Sequence, residues 1–381
     1  MLLWDLQLRR RMSCMRRRFN LLFRLTSFLL LISSPATTTA GARQASKLPL
    51  TGLYVFGDST VDPGNNDYIK TSTRSNFPPY GKDFPFHIPT GRFSNGRLVT
   101  DFIVSYLKIK EFVPAYLDPT VRLEDMATGV SFASAGSGFD PTTGSNQNVL
   151  TLRKQLECFK NFKARLSLKI GEQQTEKVVN NAAFLISTGS NDLFHTYFGI
   201  RPIRRQQYTI SGYVNFLVQH AQQFIEELME AGARTIVFSG LSALGCAPSA
   251  ITIRSSPERR CVESVLSIAR DFNRLALERL VGLRSGIGNG SKVYYFDTYT
   301  PMLDWVHHPI KYGFVEVNKG CCGTGYTEYG NACNIAVGVC ADANKYVFFD
   351  AVHPTQAAYY YLFRSSIPLI SQIISNKFLN N

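Results

Sequence analysis

The chain has 381 residues and a formal net charge of +13. This length is sufficient for one large α/β domain or for two smaller domains. The basic excess comes without a zinc finger or an arginine-rich arm, which argues against a nucleic-acid-binding protein. It is compatible with attraction to an acidic cell-wall or membrane surface, although a solvated basic surface explains it equally simply.

An arginine-rich leader opens the chain. Seven arginines precede or enter an apolar run from residue 25 to residue 32, and Ala40-Gly41-Ala42 supplies the small residues that a signal peptidase recognises. This order predicts a secretory signal peptide over residues 1–42, and the compact apolar run favours it over a transit peptide. Neither this run nor any later segment is long enough to span a bilayer. We therefore expect a secreted protein, extracellular or in the cell wall, without a transmembrane span.

Apolar runs and amphipathic segments alternate along the remaining chain. The first kind predicts strands at 53–56, 129–138 (where a strand breaks into a glycine turn), 182–188, 234–238 and 292–296. The second predicts helices at 98–107, 150–168, 213–231, 264–283 and 355–374. This alternation is typical of a parallel sheet covered by helices on both faces. We expect one α/β domain over residues 43–381.

Seven of the eight cysteines lie beyond the leader. Cys246 and Cys261 close a short loop, four more cluster between residues 321 and 340, and Cys158 is left over. In an oxidising compartment this pattern predicts three disulfides and one free thiol, with the pairing inside the cluster open. Structural zinc is the alternative, but the adjacent Cys321 and Cys322 lack the usual zinc-knuckle spacing. The members of the cluster are Cys321, Cys322, Cys333 and Cys340.

Five residues at the ends of these elements form a candidate catalytic site. Ser59 follows the first strand, Gly136 the second and Asn191 the third, while Asp350 and His353 precede the last helix. A serine hydroxyl needs a base to become nucleophilic, and an imidazole oriented by a carboxylate is suited to that role. Backbone N–H groups and a side-chain amide are suited to stabilising an oxyanion. Turns and helix caps explain each residue singly, but not all five at successive strand ends.

Four segments make the resemblance specific. They are Phe56-Gly57-Asp58-Ser59, Ala133-Ser134-Ala135-Gly136-Ser137-Gly138, Gly189-Ser190-Asn191-Asp192 and Asp350-Ala351-Val352-His353-Pro354. With them the chain resembles the plant GDSL esterase/lipases of the SGNH hydrolase superfamily, in the extracellular lipase-like branch. The likeness extends over the whole mature chain, including residues 91–97 and the Cys321-Cys322 pair. No G-x-S-x-G elbow occurs, which argues against the other large serine-esterase fold.

The resemblance implies a three-layer α/β/α fold with a central, mainly parallel, five-stranded sheet of the flavodoxin-like kind. It also implies roles: Ser59 as nucleophile, His353 as base and Asp350 as its partner. The oxyanion donors would be Ser59, Asn191 and Gly136, which we choose over Gly138. No cofactor or metal is expected, and the His307-His308 pair lacks enough carboxylates at ligand spacing for a metal site.

These observations predict a secreted serine carboxylic-ester hydrolase acting on lipid or other acyl esters through an acyl-enzyme. A cell-wall polysaccharide deacetylase and an acyltransferase are alternatives that would use the same site. A catalytically idle wall protein that binds lipid is an alternative of another class, which a complete set of five residues disfavours. Asn289-Gly290-Ser291 is a sequon at an expected surface turn and predicts N-glycosylation at Asn289.

Overall fold

Four parallel strands form the central sheet of the computed structural model, which describes residues 50–199, 202–254, 257–286 and 290–378. They stand in the order β1-β2-β3-β4, and neighbouring strands are paired along their lengths. All four carboxyl ends therefore meet at one edge, where open α/β sheets bind their ligands. The strands are β1 (Leu53–Gly57), β2 (Ala183–Ser187), β3 (Thr235–Ser239) and β4 (Lys292–Phe296).

The predicted strand over residues 129–138 is wrong, because this stretch forms an isolated bridge and not a strand. The bridge joins Val55 to Ser131 in the parallel sense. Beyond it, the amide of Gln155 bonds both the N–H and the carbonyl oxygen of Gly57, each at 2.9 Å. The amide of Asn65 donates to the Ser131 carbonyl at 2.8 Å. Gln155 thus takes the Gly57 N–H that a regular ladder would pair, while the Gly57 carbonyl also accepts the Ser134 N–H at 2.9 Å. If residues 129–138 are counted as an edge segment beside β1, the order of segments across the sheet is that of a flavodoxin-like fold.

Helices cover both faces of the sheet, which confirms the predicted α/β class. Alternate residues of each strand point to opposite faces of the sheet. Tyr54 and Phe56 therefore pack on one face with the helices over residues 152–170, 210–230 and 263–286. Leu53 and Val55 pack on the other face with the helices over residues 99–106, 299–307 and 356–378. Each fully buried side chain of this size stabilises the fold by about 1.5–3 kcal/mol. The helices are α1 (Val99–Tyr106), α2 (Leu123–Ala127), α3 (Leu152–Ile170), α4 (Glu172–Asn181), α5 (Ile203–Gln207), α6 (Ile210–Glu230), α7 (Pro248–Ile253), α8 (Glu263–Gly286), α9 (Tyr299–His307), α10 (Pro309–Tyr312) and α11 (Gln356–Phe378).

A disulfide-rich segment flanks the start of α11. Strands β5 (Glu316–Gly320) and β6 (Tyr346–Phe348) form a separate two-stranded parallel sheet. Just after β5, the N–H of Cys321 donates to the Phe348 carbonyl at 3.0 Å, and that of Cys322 donates to the Phe349 carbonyl at 2.8 Å. The cross-linked segment therefore holds the stretch that leads to Asp350. The disulfides are Cys246–Cys261, Cys321–Cys340 and Cys322–Cys333, and Cys158 is a free thiol.

Two predictions fall on residues that the structure does not describe: the signal peptide over 1–42 and the glycosylated Asn289. Within the described ranges, every helix is either too short or too polar to cross a bilayer.

Candidate active site

Ser59 lies in the turn that directly follows β1. Gly57 ends the strand with φ 143°, and a Cβ atom there would lie 1.9 Å from the Ser187 carbonyl oxygen, so only glycine fits. The carboxylate of the buried Asp58 accepts bonds from the N–H and the hydroxyl of Thr60, at 3.0 and 2.8 Å, and fixes the turn. Burial raises the pKa of Asp58. The Ser59 side chain is left at the edge of a cavity, with 8% of its surface exposed.

The structure brings His353 and Asp350 to Ser59 across a sequence separation of 294 residues. Ring atom Nε2 of His353 lies 2.8 Å from Ser59 Oγ, and Nδ1 lies 2.7 Å from Asp350 Oδ2. Asp350 is fully buried, and its Oδ1 atom accepts the N–H groups of Val352 and His353 at 2.8 and 2.7 Å. With Nδ1–H donating to the carboxylate, Nε2 is free to accept the serine proton.

Tyr80 is a member of this site that the sequence analysis did not identify. Its hydroxyl donates to Asp350 Oδ2 at 2.7 Å and accepts the N–H of Gly330 at 2.8 Å. Burial, together with the Asp350 charge, raises the pKa of the Tyr80 phenol far above its ordinary value, so it stays protonated and donates. The ring of Phe93 packs against that of His353, with centroids 4.9 Å apart. Both residues lie in a long irregular loop, where no local sequence pattern marks them.

Three donors face the cavity near Ser59. The N–H groups of Ser59 and Gly136 have no acceptor among the residues that the structure describes. The Asn191 amide uses one N–H to bond the Ser137 carbonyl at 2.9 Å, which fixes the side chain and leaves the other N–H available. Gly136 lines the cavity with a left-handed φ of 91°, whereas a Cβ atom at Gly138 would lie 2.4 Å from Asp192 Oδ1. Of the two glycines, Gly136 therefore lies on the cavity wall, and Gly138 packs closely against Asp192.

Two buried carboxylates hold the backbone on either side of Gly136. Asp62 accepts the Ala135 N–H at 2.9 Å, and Asp192 accepts the Phe139 N–H at 2.8 Å. Burial raises the pKa of each carboxyl group to about 7, against the opposing effect of these bonds. The sequence analysis assigned a role to neither aspartate. The position of the Gly136 N–H is thus fixed from both sides before any ligand binds, as an oxyanion site requires.

A cavity of about 1510 Å³ opens beside these groups, and its lining includes Ser59, Gly136, Asn191 and His353. Outer parts of the wall carry polar side chains, such as Arg204 and Asn331, together with exposed apolar ones, such as Ile203 and Ile253, and inner parts are apolar. In the described ranges no three His, Cys, Asp or Glu side chains are grouped as metal ligands. His308 instead bonds Asp304 at 2.7 Å on the surface.

The chain is similar in sequence to known proteins of one family. Residues 53–365 match the family described as GDSL-like Lipase/Acylhydrolase. GDSL esterase/lipase At5g45960 of Arabidopsis thaliana is 46% identical over 334 residues, which cover 87% of this chain and 89% of that protein. GDSL esterase/lipase At2g40250 of the same plant is 44% identical, over 82% of this chain and 87% of its own. A lipase from a goat rumen metagenome, Lip_vut3, aligns at a TM-score of 0.35 and 12% identity over 82% of this chain and 94% of that one, too low a likeness to support an argument. By the family match and these plant relatives, the chain belongs to the GDSL-like lipase/acylhydrolase family.

Proposed function

We propose that this protein is a secreted serine carboxylic-ester hydrolase that acts on lipid or other acyl esters. The observation that carries the proposal is the continuous path of hydrogen bonds from Ser59 Oγ through His353 to the buried Asp350 carboxylate, at 2.8 and 2.7 Å. Family membership supports acyl-ester hydrolysis in general. The geometry supports these residues as its catalytic groups.

In the proposed reaction His353 Nε2 takes the proton of Ser59 as Oγ attacks the ester carbonyl carbon. The negative oxygen of the tetrahedral intermediate accepts bonds from the N–H groups of Ser59, Gly136 and Asn191, each worth about 2.7–4 kcal/mol of barrier. The intermediate collapses as the imidazolium protonates the departing alcohol, which leaves an acyl group on Ser59. Water then attacks the acyl-enzyme with His353 again as base, and releases the acid and the free serine. The Asp350 carboxylate orients the imidazole and stabilises the imidazolium.

Secretion is part of the proposal, and the three disulfides support it. Such bonds form and persist in oxidising compartments and are rare in the cytosol. The pair Cys246–Cys261 lies far in sequence from the pairs Cys321–Cys340 and Cys322–Cys333, so cross-linking is not confined to one segment.

Active-site labelling tests the proposal. A fluorophosphonate probe should form an adduct on Ser59 of the oxidised mature protein, identified by peptide mass spectrometry. The adduct should disappear in Ser59→Ala but not in Ser242→Ala, a matched control at another serine of the cavity wall. Labelling that persists in Ser59→Ala, or a wild-type protein that hydrolyses no ester, would contradict the proposal.

His353 is tested by the same probe used kinetically. His353→Ala should lower the labelling rate and the ester hydrolysis rate by several orders of magnitude, because the serine loses its base. Unchanged turnover would remove His353 from the mechanism while leaving the serine assignment intact.

A further inference from the structure

The deep part of the active-site cavity is enclosed by apolar side chains from five different elements. We call this part the inner arm. Every side chain that defines it is at most 9% exposed, so the arm lies within the fold and not on its surface. These side chains are Val99 of α1, Leu185 of β2, Phe296 of β4, Met302 and Trp305 of α9, and Leu362 of α11.

The inner arm is continuous with the nucleophile. Ser59, Thr60 and Val61 line the same cavity, and the Thr60 hydroxyl lies 3.0 Å from that of Ser187 at the end of β2. Leu185 precedes Ser187 by two residues, so it points to the same face of the sheet about 7 Å further along the strand. The arm therefore runs from Ser59 down one face of the sheet, beneath α11 and α9.

The polar groups on its wall are mostly satisfied by the protein itself. The hydroxyls of Ser239 and Thr298 both donate to the Gly240 carbonyl, at 3.3 and 2.6 Å. Tyr359 differs, because its buried hydroxyl has no partner within the described part of the chain. Tyr359 lines the same cavity as Ser59. Burial first, and then the charges of Asp58 and Asp350, raise the pKa of its phenol. The inner arm is thus apolar at depth, and the Tyr359 hydroxyl on its wall is an unused hydrogen-bond donor.

We propose that the inner arm binds the acyl chain of the substrate, so that the acyl chain and not the alcohol sets specificity. This proposal rests on the proposed hydrolysis at Ser59. The acyl group stays bound to Ser59 while the alcohol must leave and water must enter. An enclosed apolar arm is suited to the part that stays, and the open outer cavity, whose wall includes Arg204 and Asn331, is suited to the part that leaves. The substrate class is therefore an ester of a medium- or long-chain fatty acid, bound chain inward.

The test measures kcat/KM on p-nitrophenyl esters from acetate to dodecanoate, below the concentrations at which they aggregate. For the wild type, kcat/KM should rise by about fourfold for each methylene buried, until the arm is filled. Met302→Trp narrows the arm and should lower the dodecanoate-to-acetate ratio by about tenfold or more. Trp305→Ala removes part of the wall and should move the preferred chain towards greater length.

A matched core truncation separates shape from stability. Leu228→Ala alters a fully buried residue of α6 that does not line the cavity, and it should leave the dodecanoate-to-acetate ratio unchanged. Two outcomes would contradict the acyl site while acetate is still hydrolysed: a dodecanoate-to-acetate ratio near one in the wild type, or a ratio that neither Met302→Trp nor Trp305→Ala changes. In either case the hydrolase proposal stands. If no ester is hydrolysed and Ser59 takes no label, the hydrolase proposal itself fails. Should either variant not fold by circular dichroism, the other and the wild-type profile decide.

Discussion

Two buried tyrosines near Asp350 allow one matched experiment on the candidate site. Tyr80 donates to Asp350 Oδ2 at 2.7 Å and accepts the Gly330 N–H at 2.8 Å, whereas the Tyr359 hydroxyl has no partner among the described residues. Tyr80→Phe removes a bond to a charged group, worth about 1.5–3 kcal/mol, and leaves the half-buried Gly330 N–H without this partner. We expect its free energy of unfolding to fall by about 2–4 kcal/mol. The same substitution at Tyr359 removes an unsatisfied hydroxyl, so stability should stay constant or rise slightly.

Activity should respond to Tyr80→Phe through kcat. Tyr80 does not line the cavity, so KM should change little. It positions the carboxylate that stabilises the His353 imidazolium, and that charge exists only once the serine has lost its proton. Loss of about 1.5 kcal/mol from that state would lower kcat by about tenfold.

Urea denaturation followed by circular dichroism gives the two free energies of unfolding, and hydrolysis of a p-nitrophenyl ester gives kcat and KM. Two results would refute this reasoning: equal stability of Tyr80→Phe and Tyr359→Phe, or a wild-type kcat in Tyr80→Phe. A rise in KM with kcat unchanged would also do so, because it would place Tyr80 in substrate binding.

Three further predictions use other parts of the site and the fold. Asn191→Ala should lower kcat by about 100- to 1000-fold in the ester assay, the usual cost of one oxyanion donor, and kcat within twofold of wild type would remove Asn191 from that role. Burial alone would raise the pKa of Glu328, but bonds led by that from Thr324 lower it to about 2. This carboxylate therefore contributes stability above its unfolded pKa that is lost as pH falls. The stability gap between wild type and Glu328→Gln in urea should be widest above pH 5 and should narrow towards pH 2, and a gap constant with pH would contradict the assignment. Burial raises the pKa of the Cys158 thiol to about 11, so iodoacetamide at pH 8 should modify it far more slowly in the folded than in the urea-unfolded protein, and equal rates would refute this.

The layered architecture could be predicted because it depends on local patterns. Apolar runs that end in glycine or serine gave the four strands of the sheet, and the amphipathic spacing gave the long helices. The irregular pairing of residues 129–138 with β1 could not be predicted, since Gln155, 98 residues from Gly57, accepts the Gly57 N–H that a regular ladder would pair. The spacing of α3 identifies a helix, but it does not reveal that one polar residue points inward and bonds the backbone of β1.

The candidate site likewise contains residues that could be predicted from the sequence and residues that could not. Ser59, Asn191 and His353 follow or precede regular elements, so their approach to one edge of the sheet follows from the topology of a parallel α/β fold. Tyr80 lies in a long irregular loop, and its contact with Asp350 spans 270 residues. The two prolines before it indicate an ordered turn without indicating where the tyrosine points. Contacts of this kind depend on the tertiary structure alone.

The segment 91–97, which the resemblance included without a role, explains how the two ends of the chain are aligned. Asn95 Oδ1 accepts the N–H of Gln356, and Gln356 Oε1 accepts the N–H of Arg97, both at 2.8 Å. The Ser94 hydroxyl donates to the Pro354 carbonyl at 3.0 Å. At Gly96 a Cβ atom would lie 2.2 Å from Gln356 Oε1, so the glycine is required for this contact. These bonds join the loop after Ser59 to the residues that follow His353. The segment therefore sets where α11 begins, and with it the position of the imidazole relative to the serine.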